Sequence, residues 1–233
     1  MKAILASTST LHGQAYLEYI LPELKTHFQD CDFVLFIPYA RPGGITHEDY
    51  TEIARQAFSK IDIQVKGLHE FDDHAEAVRE APAIFTGGGN TFLLVSELYR
   101  NKVIPVLQES VRNGTPYLGT SAGSNIGGLS MQTTNDMPII YPPSFKTLGL
   151  VPFNINPHYL DPDPNSRHKG ETRETRIKEF HTLNSQPVVG LREGSWLELT
   201  DRVMLKGKLD ARIFQKDQDA YEVQTGTDLT HLN

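Results

Sequence analysis

The chain has 233 residues, of which 39% are hydrophobic and 22% charged, enough to bury a core and unlike a disordered or fibrous chain. A formal net charge of −7 without a long basic run argues against nucleic acid as a partner, and no stretch approaches the roughly 20 apolar residues of a membrane helix. A single cysteine, Cys31, excludes an internal disulfide framework and points to a reducing, cytoplasmic setting with a small molecule as the partner.

The first apolar run, Met1 to Ala6, is cut short by Ser7, Thr8, Ser9 and Thr10, too early for a signal peptide, and reads as a strand over Ile4, Leu5 and Ala6. Strands are expected next at residues 33–37, 63–65 and 83–85, alternating with helical periodicity over 12–28, 46–61 and 72–81. Thr46 with Asp49 three positions on gives the second helix a capping-box start. Residues 90–112 are helical with an interruption expected near Pro105, and residues 116–119 form a fifth short strand. Residues 133–165 are rich in Pro, Asn and Asp and read as loop with short strands such as 153–155, the kind of long connection that carries function. A helix over 171–183 precedes a strand at 188–191 and short alternating segments at 196–199, 203–205 and 212–214, an antiparallel ending. Without repeat or linker, residues 1–233 read as a single α/β domain, a doubly wound, mostly parallel sheet.

Gly119-Thr120-Ser121-Ala122-Gly123 has the G-x-S-x-G spacing between a strand and a helical segment, a sharp turn that would expose the Ser121 hydroxyl as a nucleophile. The same pattern is compatible with a small-residue turn that only packs a helix on a sheet. A serine hydroxyl needs a base, and His158, just after the strand at 153–155, is the strongest candidate among nine histidines, with His168 its competitor. Asp136, between them in sequence, is the expected orienting acid; Asp161, Glu171 and Glu193 are alternatives. Gly87-Gly88-Gly89-Asn90 follows a strand and offers backbone N–H groups for a phosphate, for an oxyanion opposite Ala122, or for nothing beyond a tight turn.

These blocks, in one order with Thr133-Thr134-Asn135-Asp136-Met137-Pro138, Asn156-Pro157-His158, His168-Lys169-Gly170-Glu171-Thr172-Arg173 and Gly190-Leu191-Arg192-Glu193-Gly194-Ser195-Trp196, resemble the peptidase E family of α-aspartyl dipeptidases over nearly the whole chain. The resemblance implies a flavodoxin-like fold related to class I glutamine amidotransferases, with Ser121, Asp136 and His158 as the catalytic set and no cofactor or metal. It implies an oxyanion site at Gly88, Gly89 and Ala122, and Arg173 as the residue that binds the side-chain carboxylate of a small acidic peptide. Amidotransferases carry cysteine at the elbow, where this chain has Ser121. Cyanophycinase is a nearer relative that the Asn135-Asp136-Met137-Pro138 block fits less well. No feature of the sequence decides for or against a homo-oligomer.

Overall fold

The computed structural model describes residues 1–163 and 170–232. In chain order the elements are β1 (Ala3–Ala6), a 3-10 turn (Glu18–Ile20) running into α1 (Leu21–His27), β2 (Phe33–Ile37), α2 (His47–Ser59), β3 (Gln64–Gly67), α3 (His74–Glu80), β4 (Ile84–Thr86), α4 (Thr91–Arg100), α5 (Val103–Arg112), β5 (Tyr117–Thr120) and the short α6 (Ala122–Asn125). They continue with β6 (Asn154–Pro157), α7 (Arg173–Leu183), β7 (Val188–Leu191), β8 (Ser195–Leu199), β9 (Val203–Gly207), β10 (Ala211–Phe214) and β11 (Tyr221–Val223).

Seven strands form the main sheet in the order β3-β2-β4-β5-β1-β8-β9. The first five are parallel, and β8 and β9 run antiparallel beside β1. Strand side chains alternate between faces, and here both faces are buried. Ile4, Val34, Phe36, Phe85 and Leu118 pack against Leu24 and Phe28 of the α1 side and Ala54 and Phe58 of α2. Leu5, Leu35, Ile37 and Ile84 pack against Val78 of α3, Leu94 and Leu98 of α4, and Leu107 and Val111 of α5. This is the doubly wound, mostly parallel architecture with antiparallel C-terminal strands that the sequence pattern predicts.

Three features differ from expectation. Residues 12–17 are not helical, because Gly13 and Leu17 both take positive φ, at 78° and 60°, and helical structure starts only at Glu18. The break in 90–112 falls at Asn101 and Lys102, where Lys102 is left-handed at φ 56°. Pro105 instead sits in the first turn of α5, where a backbone N–H has no partner to lose. The C-terminal segments also divide between two sheets: β7 and β10 leave the main sheet for a second one ordered β11-β10-β7-β6, in which β6 and β7 are parallel. Among the described residues no helix is long and apolar enough to cross a membrane.

Candidate active site

Ser121 is the turn between β5 and α6, with φ 54° and ψ −111°, a conformation that costs a non-glycine residue energy and persists only when its surroundings impose it. The surroundings are tight. A Cβ on Gly119 would lie 2.3 Å from the Gly123 carbonyl oxygen, and one on Gly123 would lie 2.2 Å from that of Thr86, so the two flanking glycines allow strand, turn and helix to close. Ser124 Oγ, 2.6 Å from the Ala6 oxygen and 2.8 Å from the Gly119 oxygen, ties the start of α6 to β1 and β5. Gly88, two residues past β4, abuts Ser121: a Cβ there would come 2.9 Å from Ser121 Cβ.

His158 follows β6 and is also held at positive φ, 52°. Its N–H donates to Ser7 Oγ at 2.9 Å, and that hydroxyl donates to the Leu191 carbonyl at 2.6 Å. Ser7 thus ties the end of β1 to β7 and fixes the backbone that carries the imidazole. Nε2 lies 2.8 Å from Ser121 Oγ, and Nδ1 lies 2.6 Å from Glu193 Oε1. With Nδ1–H donating to the carboxylate, Nε2 is left as the acceptor for the serine proton, the arrangement that turns a hydroxyl into a nucleophile.

The acid beside the imidazole is therefore Glu193, not Asp136. Asp136 sits at the start of α4, where its Oδ2 accepts from Thr91 N–H at 2.7 Å, Thr91 Oγ1 at 2.6 Å and Thr134 Oγ1 at 2.9 Å. A carboxylate suits that position, because the first N–H groups of a helix lack internal partners. Its loop is clamped to the strand that carries His158, with Asn135 Nδ2 donating to the Pro157 carbonyl at 2.7 Å and Asn156 Nδ2 to Asn135 Oδ1 at 2.8 Å. Of the other acids considered, Asp161 is paired with Arg192 and Glu171 with Arg176. His168, the competing base, lies outside the described residues.

The glycine turn also sorts itself. Gly88 N–H donates to the Tyr50 hydroxyl at 3.0 Å, which removes it as an uncommitted donor. Gly89 N–H has no hydrogen-bond partner among the described residues, and Ala122, as the first residue of α6, has none within the helix.

A cavity of about 290 Å³ is lined by Thr91, Ser121, Ala122, Asp136, His158 and Arg173 among others. Arg173, the first residue of α7, is partly buried and forms no ion pair among the described residues. Burial, and then the nearby Arg176, lower its pKa from the usual guanidinium value, while Glu193 and Asp136 act in the opposite sense. A larger hollow of about 440 Å³ lies by Tyr19 and Trp196, but no serine, cysteine or histidine is among its lining residues. Among the described residues Glu48, His69 and Glu70 bring possible metal-binding atoms together, but both carboxylates already pair with Arg55 at 2.5 Å and none of the three lines the Ser121 cavity.

The sequence comparisons agree with one another. The family model described as peptidase family S51 matches residues 3–206. Over 233 residues the chain is 49% identical to a peptidase E of Streptomyces coelicolor, covering 100% of this chain and 95% of that protein. It is 46% identical to a probable alpha-aspartyl dipeptidase of Drosophila melanogaster, covering 98% of this chain and 96% of that one. Among solved structures, a peptidase from an acI-B1 actinobacterium superposes with a TM-score of 0.70 at 18% identity, covering 98% of this chain and 96% of that chain. A putative peptidase E from Listeria monocytogenes superposes at 0.65 with 21% identity, covering 89% of this chain and 98% of that one. With the family model matched over most of its length and a relative nearly half identical from end to end, the chain belongs to peptidase family S51.

Proposed function

We propose that the protein is a serine dipeptidase that hydrolyses the bond after an N-terminal α-aspartyl residue in dipeptides and very short peptides. The observation that carries this reading is the hydrogen-bonded series Ser121, His158, Glu193 opening on a cavity that also holds Arg173, which forms no ion pair among the described residues. Ser121 Oγ attacks the carbonyl carbon as His158 Nε2 takes its proton, and Glu193 stabilises the imidazolium. Gly89 and Ala122 N–H groups receive the oxyanion, each donor of this kind contributing about 3 kcal/mol in measured hydrolases. His158 then protonates the leaving amine, and water, deprotonated by the same imidazole, releases aspartate from the acyl-enzyme.

Arg173 supplies the specificity. A partly desolvated guanidinium gains most from a carboxylate that fits its fork, and an asparagine or a shifted carboxylate forfeits that pairing. The cavity is at the small end of the usual range for ligand pockets, about 300–1,000 Å³, which suits a substrate of one or two residues. The relatives named peptidase E and probable alpha-aspartyl dipeptidase support the same choice.

Hydrolysis of matched α-Asp-Leu, Asn-Leu, Glu-Leu and β-linked Asp-Leu by purified wild type and Ser121→Ala tests it. Cleavage confined to α-Asp-Leu and reduced about 10⁴-fold or more in the variant is expected. Folded wild type that leaves all four intact overturns the reading.

A further inference from the structure

Asp136 lines the Ser121 cavity but forms no hydrogen bond or ion pair with His158 or Arg173 among the described residues. Its two oxygens are used unequally. Three donors, Thr91 N–H, Thr91 Oγ1 and Thr134 Oγ1, converge on Oδ2, and no described residue donates to Oδ1. Those donors fix the rotation of the carboxylate, so Oδ1 is a preset acceptor rather than a mobile one. The cavity therefore presents one positive and one negative group, unpaired with each other, beside the nucleophile.

A ligand that satisfies both is itself dipolar. An N-terminal aspartyl residue carries its β-carboxylate and its α-ammonium on the two sides of the Cα next to the scissile carbonyl. The ammonium is one bond from that Cα, so whatever recognises it must line the same cavity as Ser121. Asp136 is the carboxylate that does so. We propose that Asp136 Oδ1 is the receptor for the α-ammonium of the substrate, with Arg173 taking the side-chain carboxylate. The inference rests on the aspartyl dipeptidase reading and extends it: it predicts that an internal or blocked aspartate is refused. An acylated nitrogen brings no positive charge, so binding it strips water from the carboxylate oxygen and returns no ion pair. Asp136 in this role is a specificity-determining residue that touches substrate, and it is distinct from the acid that orients the imidazole.

The test is a cycle across enzyme and substrate. Specificity constants for Asp-Leu and for succinyl-Leu, which lacks only the α-amino group, are measured with wild type, Asp136→Asn and Asp136→Ser. Both substitutions keep an oxygen for the threonine donors, and either one that shows a native melting transition and reacts with a serine-directed phosphonate serves the cycle. Wild type should prefer Asp-Leu strongly, and the ratio of the two constants should fall about 10- to 100-fold in the variants, the range for a hydrogen bond between charged groups. A ratio unchanged within about twofold, whatever happens to the absolute rates, overturns the assignment while cleavage of Asp-Leu by wild type leaves the dipeptidase reading standing. Wild type that cleaves neither substrate overturns both.

Discussion

Glu193 and Asp136 are both carboxylates near Ser121, and their neighbours separate their roles. Glu193 Oε1 faces His158 Nδ1 at 2.6 Å, so Glu193→Gln keeps an oxygen acceptor but removes the charge that stabilises the imidazolium. Because the Glu193 side chain is 45% exposed, water shares its work, and the expected loss in kcat is about 10²- to 10⁴-fold, the upper figure being that of a triad with a buried acid. KM for Asp-Leu should stay within about threefold, and labelling of Ser121 by a phosphonate should slow in parallel, because both depend on the serine nucleophile. A kcat within a few-fold of wild type would remove Glu193 from the mechanism. The sequence made the serine and the histidine legible because each stands in a short local pattern, a glycine-flanked turn and a strand end. Glu193 has no such pattern. It lies 35 residues beyond His158 in the link between β7 and β8, and only the pairing of β6 with β7 brings it to the imidazole. Asp136 stood out for its place in the chain between Ser121 and His158, a criterion without geometric content; its carboxylate belongs instead to the first turn of α4.

Elements were legible where one physical signal dominated. Thr46 accepts from Asp49 N–H at 3.0 Å and the Asp49 side chain returns the bond, so α2 starts where its capping box predicts. Residues 12–28 mix helical periodicity with two positive-φ positions, and of the two only Gly13 belongs to a residue type that advertises it. The surviving helix, α1, ends with His27, 7% exposed, whose Nε2 lies 3.2 Å from the Tyr117 carbonyl oxygen in β5. Burial, followed by the charge of Lys2, lowers the His27 pKa to about 4, and the bond to Tyr117 opposes this only in part. The folded value lies below the unfolded value of about 6.5, so the unfolded chain binds the proton more readily at intermediate pH. His27 therefore contributes no penalty above about pH 6.5, and stability falls as pH drops from there toward 4, by at most about 3 kcal/mol. Urea unfolding at several values between pH 7.5 and 4 should show a shallower loss in His27→Gln, which keeps a donor for Tyr117 but does not titrate. Equal pH dependence in the two proteins would place the acid sensitivity elsewhere.

At the scale of the whole molecule, the site is assembled from both sheets. Ser121 comes from the main sheet, His158 from the end of β6 in the second, and Glu193 from the link that runs from β7 back to β8. The second sheet was not legible as such. Asn154 to Pro157 and Tyr221 to Val223 span only 4 and 3 residues, too short for their alternation to say which sheet they join, and strand pairing between distant segments leaves no local mark. Its attachment is nonetheless apolar and continuous, since Leu5 and Tyr117 of the main sheet share one buried cluster with Ile155, Val189, Ala211 and Ile213 of the second. Ser7 adds a polar tie between β1, His158 and β7. Two sheets that share a core in this way should melt as one unit, which is the single-domain organisation proposed for residues 1–233. Unfolding followed by far-ultraviolet circular dichroism, by the emission of Trp196 on β8 and by Asp-Leu hydrolysis should give coincident midpoints. If activity disappears at a denaturant concentration where the Trp196 signal and most secondary structure persist, the second sheet opens separately from the main one. The active site would then be completed by docking of two units rather than by folding of one.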